Sequence, residues 1–325
     1  MSADFIFGQM RSCIQKPIDS QLHVVNRINS LSTQNKHNRD LRAAFFTSKL
    51  WPKNSTINFA FIEEPKNVPW TSIDKLETSA DGKKTDVDPI EYEIRKMNPK
   101  EAVKYVVAKR VQPLVGLKLV FVDDIKLSNV RIGFNPDEGA YSQVGTDCNS
   151  SDSKDKKTLN LGWMDARTII HEFCHALGMI HEHQNPRGKS IEWNDDVIYE
   201  WANRTQGWDK EITFHNIIEK YKINEINGSD YDPQSIMLYY FPATFTKNGV
   251  STEANGKISP TDKEWLRKMY PGGKPDNVLA SIFFKQDSSK LNIPIIILIV
   301  IGILVLLFLL YKAYLKFRKS RKSRK

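Results

Sequence analysis

The 325-residue sequence has few cysteines, and its first residues include no long apolar run. Cys13, Cys148 and Cys174 are scattered and odd in number, so we expect no disulfide framework and take a reducing compartment as the simpler assumption. The first residues, M-S-A-D-F-I-F-G-Q-M-R-S-C, lack a positively charged start followed by a long apolar stretch. They therefore do not resemble a secretory signal peptide.

The chain also has little excess charge outside its carboxyl terminus. The net charge is +9, but the last fourteen residues hold eight Lys and Arg and no acid, which leaves 39 basic and 38 acidic residues elsewhere. A nearly neutral globular part argues against a nucleic-acid-binding protein, because such proteins need a basic surface. We expect no nucleic-acid partner.

One long stretch carries no charge. Residues 293–311, I-P-I-I-I-L-I-V-I-G-I-L-V-L-L-F-L-L-Y, approach the roughly 20 residues that a helix needs to cross a bilayer. We expect a single transmembrane helix there, with a buried core helix as the alternative. The basic tail, residues 312–325, is then expected to bind anionic lipid. The lack of a leader favours a tail anchor with the folded domain in the cytosol, whereas the positive-inside tendency favours the opposite orientation, and both remain open.

The patterning between these ends predicts a mixed α/β domain of the α+β class. The predicted organisation is a polar lead-in (1–45), a folded domain (46–273), a juxtamembrane linker (274–292), the transmembrane helix (293–311) and the basic tail (312–325). Alternating or apolar runs predict strands at 55–62, 117–122, 130–134 and 158–163. Helical spacing predicts helices at 99–111 and 261–270, and the polar residues 63–95 predict a long loop.

The segment from His171 to His181, H-E-F-C-H-A-L-G-M-I-H, has the spacing of a metal site. Side chains four residues apart lie on one face of a helix, so His171 and His175 can bind the same ion. His181 would be out of reach if the helix continued, but Gly178 can take the left-handed conformation that ends a helix. A turn there brings His181 back as third ligand, and three protein ligands leave one position open, as in catalytic zinc sites.

Glu172 supplies the chemistry that such a site needs. Zinc lowers the pKa of a bound water to about 7 and polarises a carbonyl group. Glu172 is expected to take the proton from that water and deliver it to the leaving amine. A bare H-E-x-x-H is common by chance, but the additional glycine and third histidine at fixed spacing make chance a poor explanation. We predict a hydrolase with one zinc ion per chain and a polypeptide substrate.

The extended motif resembles that of the metzincin clan, and within the clan the astacin family of zinc peptidases. Glu182 follows the third histidine, as in astacins, and S-I-M-L-Y supplies the turn methionine of the clan at Met237. Tyr239 stands where the family has a tyrosine that can ligate zinc and then stabilise the transition-state oxyanion. The resemblance runs from Thr47 to Pro271. It implies a metzincin-type amino-terminal subdomain, with a twisted sheet and the active-site helix, and a smaller irregular carboxy-terminal subdomain.

Several positions depart from the animal astacins. The disulfide cysteines are missing, the arginine shortly after the third histidine is displaced to Arg187, and Leu238 replaces the histidine between Met237 and Tyr239. The segments H-E-H-Q-N-P-R-G and Y-D-P-Q-S-I-M-L-Y resemble a microbial branch of the family without disulfides, and the many Lys, Asn and Ile residues suit a microbial or viral source. The departures from the animal astacins remove neither a metal ligand nor the base, but they weaken any transfer of substrate preference.

The resemblance also implies a way of binding substrate. In the clan, the strand before the active-site helix is an edge strand that pairs with extended polypeptide. Here it would be the 158–163 strand, with Leu159, Asn160, Leu161 and Gly162 along it, which predicts an endopeptidase. The alternative function is a catalytically inactive, zinc-containing peptide-binding membrane protein, against which the presence of Glu172 argues.

Three residues near the motif carry open alternatives. Cys148 is either a free loop thiol or a thiolate that binds the zinc and keeps the enzyme latent. Cys174 is interpreted as a small buried packing residue rather than a fourth ligand. His183 is either solvated or in contact with the ligands.

Overall fold

The computed structural model describes residues 14–15, 44–78, 82, 84–149, 154–188, 191–227, 230–253 and 255–273. All of these residues belong to one compact unit. The predicted linker, transmembrane helix and basic tail lie outside the described residues. Within the described part, no helix is both long enough and apolar enough to span a bilayer.

A mixed six-stranded sheet forms the framework. Its strands are β1 (Ile14–Gln15), β3 (Thr56–Phe61), β4 (Lys118–Phe121), β5 (Val130–Gly133), β6 (Tyr141–Ser142) and β7 (Leu159–Asn160). They follow the order β1-β6-β7-β5-β3-β4, in which β3, β4, β5 and β7 are mutually parallel. Strand β6 runs antiparallel to β7, and β1 pairs in parallel with β6. A separate antiparallel pair consists of β2 (Phe45–Phe46) and β8 (Ile226–Asn227).

The helices are mostly short. Those of the first half are α1 (Ile73–Glu77), α2 (Ile90–Ile94), α3 (Pro99–Val106) and α4 (Ala166–Ala176), and those that follow are α5 (Asp195–Gln206), α6 (Lys210–Thr213) and α7 (Pro260–Met269). Turns of π-helix continue α3 through Val107–Val111 and α6 through Phe214–Ile218. Capping boxes begin α3 and α7, where Asn98 and Ser259 each accept a hydrogen bond from a backbone N–H three residues later.

The predicted strands and helices are present within a few residues, but the predicted loop at 63–95 contains α1 and α2. Helix α2 is only five residues long, too short to show helical spacing in the sequence. Tertiary contacts stabilise it, because Ile90 and Ile94 are buried in the core and Glu91 accepts a hydrogen bond of 2.6 Å from the Ala166 backbone N–H.

The described residues form two main hydrophobic clusters. The larger cluster lies between the sheet and helices α3 and α4, where the rings of Phe59 and Phe173 stack with centroids 4.9 Å apart. The second cluster contains Trp193, Trp201, Tyr239 and other residues between 191 and 245. The histidine motif lies on α4, whose apolar residues, including Ile170 and Phe173, pack in the first cluster.

The edge-strand prediction is wrong within the described sheet. Strand β7 lies between β5 and β6, so Leu159 and Asn160 are paired on both sides. Strand β6 has only two residues, too few to show alternation in the sequence, and it returns beside β7 through a hydrogen bond of 2.8 Å from Gln143 N–H to the Thr158 carbonyl. The outer side of β6 pairs with Ile14–Gln15.

Candidate metal centre

Helix α4 begins at a side-chain cap. Asp165 accepts a hydrogen bond of 2.6 Å from the Thr168 backbone N–H, and its other carboxylate oxygen accepts one of 2.7 Å from the Thr71 hydroxyl. The helix is buried along nearly its whole length. His171 and His175 are therefore fixed by a capped, packed helix.

The same helix ends at the predicted glycine. Gly178 has a φ of +94° and donates its N–H to the His175 carbonyl at 2.8 Å, while Met179 N–H donates to the Cys174 carbonyl at 3.0 Å. These two bonds form a Schellman motif, the usual helix ending around a left-handed residue. The turn directs the chain back so that His181 faces the helix.

The three histidines converge. Ligating atoms of His171, His175 and His181 all lie within 4.8 Å of one another, and Nε2 of His175 is 3.0 Å from Nε2 of His181. Nδ1 of His171 is 2.9 Å from the Ile236 carbonyl, and Nδ1 of His175 is 2.8 Å from the Met179 carbonyl. A carbonyl can only accept, so each Nδ1 carries the proton and each Nε2 offers its lone pair to the centre of the cluster.

This cluster fits a zinc ion. Nε2 of His171 is buried and has no hydrogen-bond partner among the described residues, which is costly unless it binds something else. Burial lowers the pKa of all three imidazoles, that of His175 to about 4, so the rings are neutral as metal ligands must be. Three imidazole nitrogens are a usual donor set for zinc.

Tyr239 reaches the cluster from the second hydrophobic cluster. Its hydroxyl oxygen is 2.6 Å from Nε2 of His181, and its ring lies nearly parallel to that of His171 with centroids 5.9 Å apart. The phenol is buried. Its hydroxyl group therefore points to the place where the three Nε2 atoms converge.

The turn that carries Tyr239 is attached to helix α7. Asp262 accepts hydrogen bonds of 2.8 Å from the Ser235 hydroxyl and the Ile236 N–H, and Ser235 Oγ accepts one of 3.0 Å from Met237 N–H. The Met237 carbonyl in turn accepts a bond of 3.1 Å from Glu182 N–H. Sequence reasoning missed Asp262 and the Ile236 carbonyl. The spacing of Ser259 and Asp262 signals a helix start, but not this contact with the turn.

Comparison with known proteins identifies the family. The model of the astacin peptidase family matches residues 83–269, more than half of the chain. The chain belongs to the astacin family. The predicted resemblance is thus confirmed at the level of the family, and astacin-family peptidases use zinc.

Curated relatives agree with this assignment. Zinc metalloproteinase nas-4 of Caenorhabditis elegans is 34% identical over 175 residues, which are 49% of this chain and 50% of that protein. Zinc metalloproteinase nas-13 of the same organism is 32% identical over 130 residues, 39% of this chain and 24% of that protein. The matched region therefore spans half or less of the length of these relatives.

A solved structure supports the fold. The structure of myroilysin is similar with a TM-score of 0.54 and 28% sequence identity, and the match covers 70% of this chain and 98% of that one. The described residues thus have the mixed α/β fold of an astacin-family zinc peptidase, as the sequence resemblance implied.

The astacin-type glutamate after the third histidine is a buried structural group in this chain. Oε1 of Glu182 accepts hydrogen bonds of 2.9 Å from Asp232 N–H and 3.0 Å from the Asn185 side chain. Burial raises the pKa of Glu182 to about 8, although these hydrogen bonds oppose the shift. Through its hydrogen bond from Asp232 N–H, the Glu182 side chain connects the residues after His181 to the segment that precedes Met237.

His183, Cys148 and Cys174 are all buried side chains in the structure. His183 is buried, with Nε2 3.0 Å from the Asn216 carbonyl and its ring stacked on His181, so it contacts a ligand and is not solvated. Cys148 and Cys174 are free, buried thiols, and Sγ of Cys148 lies 3.1 Å from the Gln143 carbonyl, which accepts its hydrogen bond. The metal-binding group found among the described residues contains three histidines and no cysteine.

Proposed function

We propose that this chain is a membrane-anchored zinc endopeptidase that cleaves extended polypeptides. The observation that carries the proposal is the convergence of three neutral imidazoles within 4.8 Å, with the Tyr239 hydroxyl directed at the same point. Three protein ligands leave room for a water or a substrate carbonyl, which is the arrangement of catalytic rather than structural zinc.

The residues of the chain have separate tasks in this proposal. His171, His175 and His181 hold the zinc ion, which supplies Lewis-acid polarisation and a lowered pKa for water. Glu172, buried beside His171 on α4, accepts the proton of the attacking water and passes it to the leaving amine. The Tyr239 hydroxyl donates a hydrogen bond to the oxyanion that develops on the scissile carbonyl.

The bonds behind these residues set their orientation. The Ile236 and Met179 carbonyls hold the His171 and His175 rings through Nδ1, so both rings present Nε2 without rearrangement. Loss of a hydrogen bond that orients a metal ligand usually lowers metal affinity or activity by about 10- to 100-fold. Preorganised donors lower the barrier because they need no reorientation during the reaction.

Substrate is proposed to add as a strand at the outer side of β6. Extended polypeptide pairs with a sheet edge through main-chain hydrogen bonds, which gives cleavage within a chain rather than only at its ends. Residues 14–15 pair with that side of β6, so substrate must replace them there.

The cellular placement is also a proposal. Residues 293–311 are uncharged and residues 312–325 hold eight basic side chains, which supports a single membrane span with a lipid-binding tail. We place the folded domain in the cytosol, and a protease-protection assay on membranes tests the orientation. The free, buried state of Cys148 and Cys174 supports a branch of the family without disulfides, and the many Lys, Asn and Ile residues support a microbial or viral source.

The decisive experiment is cleavage of casein by residues 1–290 and by the full chain, with and without a zinc chelator. Glu172→Gln keeps the three ligands and removes the base, so zinc stays bound while cleavage falls by several orders of magnitude. Glu192→Gln, an exposed position, is the matched control. Zinc and peptide binding without cleavage by the wild type would instead support an inactive peptide-binding protein.

A further inference from the structure

A groove rich in basic side chains lies beside helix α7. Its volume is about 350 Å³, and of the described residues that line it only Asp88 is acidic. The cations of this basic groove are Lys109, Arg110, Lys257, Lys263 and Arg267. Such a concentration of positive charge contrasts with the nearly neutral sequence outside the carboxyl-terminal tail.

Two of the five cations already have acidic partners. The Arg110 guanidinium group donates two hydrogen bonds of 2.6 Å to the Asp88 carboxylate. Burial acts to raise the pKa of Asp88, but the bonds from Arg110 outweigh it and the pKa lies below its usual value. Lys257 forms an ion pair with Asp86. The single acid of the groove is therefore fully engaged.

The other three cations have no acidic partner among the described residues. Lys263 and Arg267 are exposed residues of α7 four positions apart, so their side chains share one face of the helix and repel each other. Lys109, on the turn that continues α3, adds a third positive charge. An anion bound in the groove would relieve this repulsion.

The described part of the chain ends at the rim of the same groove. Pro113 and Leu114 line the groove, and a Cβ at Gly273 would lie 2.7 Å from the Pro113 carbonyl oxygen and from the Leu114 carbonyl carbon. The backbone of Gly273 therefore packs directly against these two residues. Residues 274–292 connect this point to the proposed membrane span, and these 19 residues reach at most about 65 Å when fully extended. The groove thus adjoins the point at which the proposed anchor is attached.

We infer that the basic groove binds the phosphate-containing headgroup of an anionic phospholipid and so holds the catalytic domain on the membrane surface in one orientation. The inference rests on the proposed membrane anchor, which brings the groove to the lipid. Arginine and lysine suit this ligand, because a guanidinium group pairs with two phosphate oxygens and an ammonium group adds a compact positive charge.

A lipid headgroup fits the groove better than other anions of the cell surface or interior. A nucleic acid carries a charge about every 1.7 Å along its axis and is bound by cations along an extended path, whereas the unpaired cations here face one concavity. The linker at 274–292 is not an anionic occupant, since it contains two acids and three lysines. A phospholipid headgroup is a single compact anion, which suits three cations around one groove.

Lysine footprinting of the full chain tests the contact in a membrane. The chain is reconstituted in nanodiscs of phosphatidylcholine, with or without phosphatidylserine, and mass spectrometry measures the acetylation rate of each lysine. Lys109 and Lys263 should react about fivefold more slowly in the anionic discs, which is the gain of one cation at an anionic surface. Lys222 and Lys247, exposed residues that do not line the groove, should react equally in both. Equal rates at Lys109 and Lys263 in the two discs overturn the inference.

A matched pair of double variants assigns the binding to the groove. Dioctanoyl phosphatidylserine is titrated into the full chain in neutral detergent, and native mass spectrometry gives its affinity. Lys263→Gln/Arg267→Gln should bind it about 25-fold more weakly, at about fivefold for each lost charge. Lys222→Gln/Lys247→Gln removes the same net charge outside the groove and should bind like the wild type.

The basic tail is present in every variant, so its contribution to lipid binding is the same in all of them. Melting temperatures show that each variant is folded, and Lys263→Gln/Arg267→Gln should not be less stable because it removes a repulsive pair. An equal loss of affinity in the two double variants overturns the inference. Tighter binding of inorganic phosphate, an acidic peptide or an oligonucleotide than of phosphatidylserine also overturns it.

Carbonate extraction separates this inference from the proposed anchor. Membranes from cells that express the full chain are washed with alkaline carbonate, which leaves spanning proteins in the membrane. Release of the chain contradicts the anchor, but groove-dependent binding of dioctanoyl phosphatidylserine needs no span and still supports the inference. A chain that resists extraction, with Lys263→Gln/Arg267→Gln binding phosphatidylserine like the wild type, contradicts the inference and leaves the anchor intact.

Discussion

The indole N–H of Trp51 donates a hydrogen bond of 2.7 Å to the carbonyl of Ala176, the last residue of α4. The next carbonyl, that of Leu177, accepts a bond of 2.7 Å from the Tyr270 hydroxyl. The last carbonyls of a helix have no donor within the helix. Trp51, 125 residues from Ala176, and Tyr270, 93 residues from Leu177, supply these donors. They hold the turn between the second and third histidines from outside the motif.

Removing one of these bonds should weaken zinc binding as well as the fold. Tyr270→Phe leaves the buried Leu177 carbonyl without its donor, which costs about 1–3 kcal/mol in the free energy of unfolding. Urea denaturation and chelator competition measure the two effects. Tyr92→Phe, which removes an exposed hydroxyl bonded to Glu77, should change neither by more than about 0.5 kcal/mol. Unchanged zinc affinity in Tyr270→Phe would show that the bond serves stability alone.

Gly178→Ala should displace the third ligand. At a φ of +94° an alanine is strained, and its Cβ would lie 3.2 Å from Leu50 Cδ2. This strain should lower the free energy of unfolding by about 1–2 kcal/mol. A change in the backbone that relieves the strain would shift His181, which follows three residues later. Gly207, at φ +67° after α5, offers a control with open space around it. Gly207→Ala should lose similar stability while zinc affinity, measured by competition, stays at the wild-type value.

The metal-free protein should become less stable as the pH falls. Burial lowers the pKa of His175 from 6.5 to about 4, so between these values the unfolded chain binds a proton that the folded chain does not. Stability from this group is fully present above pH 6.5 and falls until about pH 4, by about 3 kcal/mol at most. Chemical denaturation in chelator at several pH values measures the slope. His175→Asn should make the slope shallower, since His171 and His181 still contribute to it, and His215→Asn, an exposed position, should leave it unchanged.

Removing the first 43 residues should accelerate cleavage. Ile14 and Gln15 pair with Tyr141 and Ser142 on the side of β6 where substrate is proposed to add. Competition for the same backbone groups raises KM, so a chain starting at Ala44 should have a lower KM with little change in kcat. Ile14→Pro in the longer chain should act in the same direction, since proline cannot donate a ladder hydrogen bond. An unchanged KM in both would place the substrate elsewhere.

Local sequence patterns predicted much of the fold and the metal ligands. His171, His175 and Gly178 are close in the chain, and helix geometry alone relates them. The capped helices and the strand at Thr56–Phe61 likewise follow from caps and alternation in the sequence. Helix α2 and strand β6 were missed because elements of five and two residues carry no periodicity, and their contacts with distant residues stabilise them.

The edge of the sheet shows what pattern alone could not decide. The sequence indicates that Leu159 and Asn160 form a strand, but the neighbours of a strand depend on which other segments return to it. Here Tyr141–Ser142 returns beside β7, and the edge moves one strand outward.

The sequence by itself determined the chemistry of this protein: three imidazoles, a carboxylate between them and a glycine turn, all within the eleven residues from His171 to His181. Only the tertiary structure decided how that segment is completed. The Ile236 carbonyl that orients His171, the Tyr239 hydroxyl beside His181 and the Trp51 bond to the helix end come from distant parts of the chain. They meet because two hydrophobic clusters pack beside the motif. The hydrophobic effect depends on the apolar area that is buried and not on how far apart the residues are in the sequence.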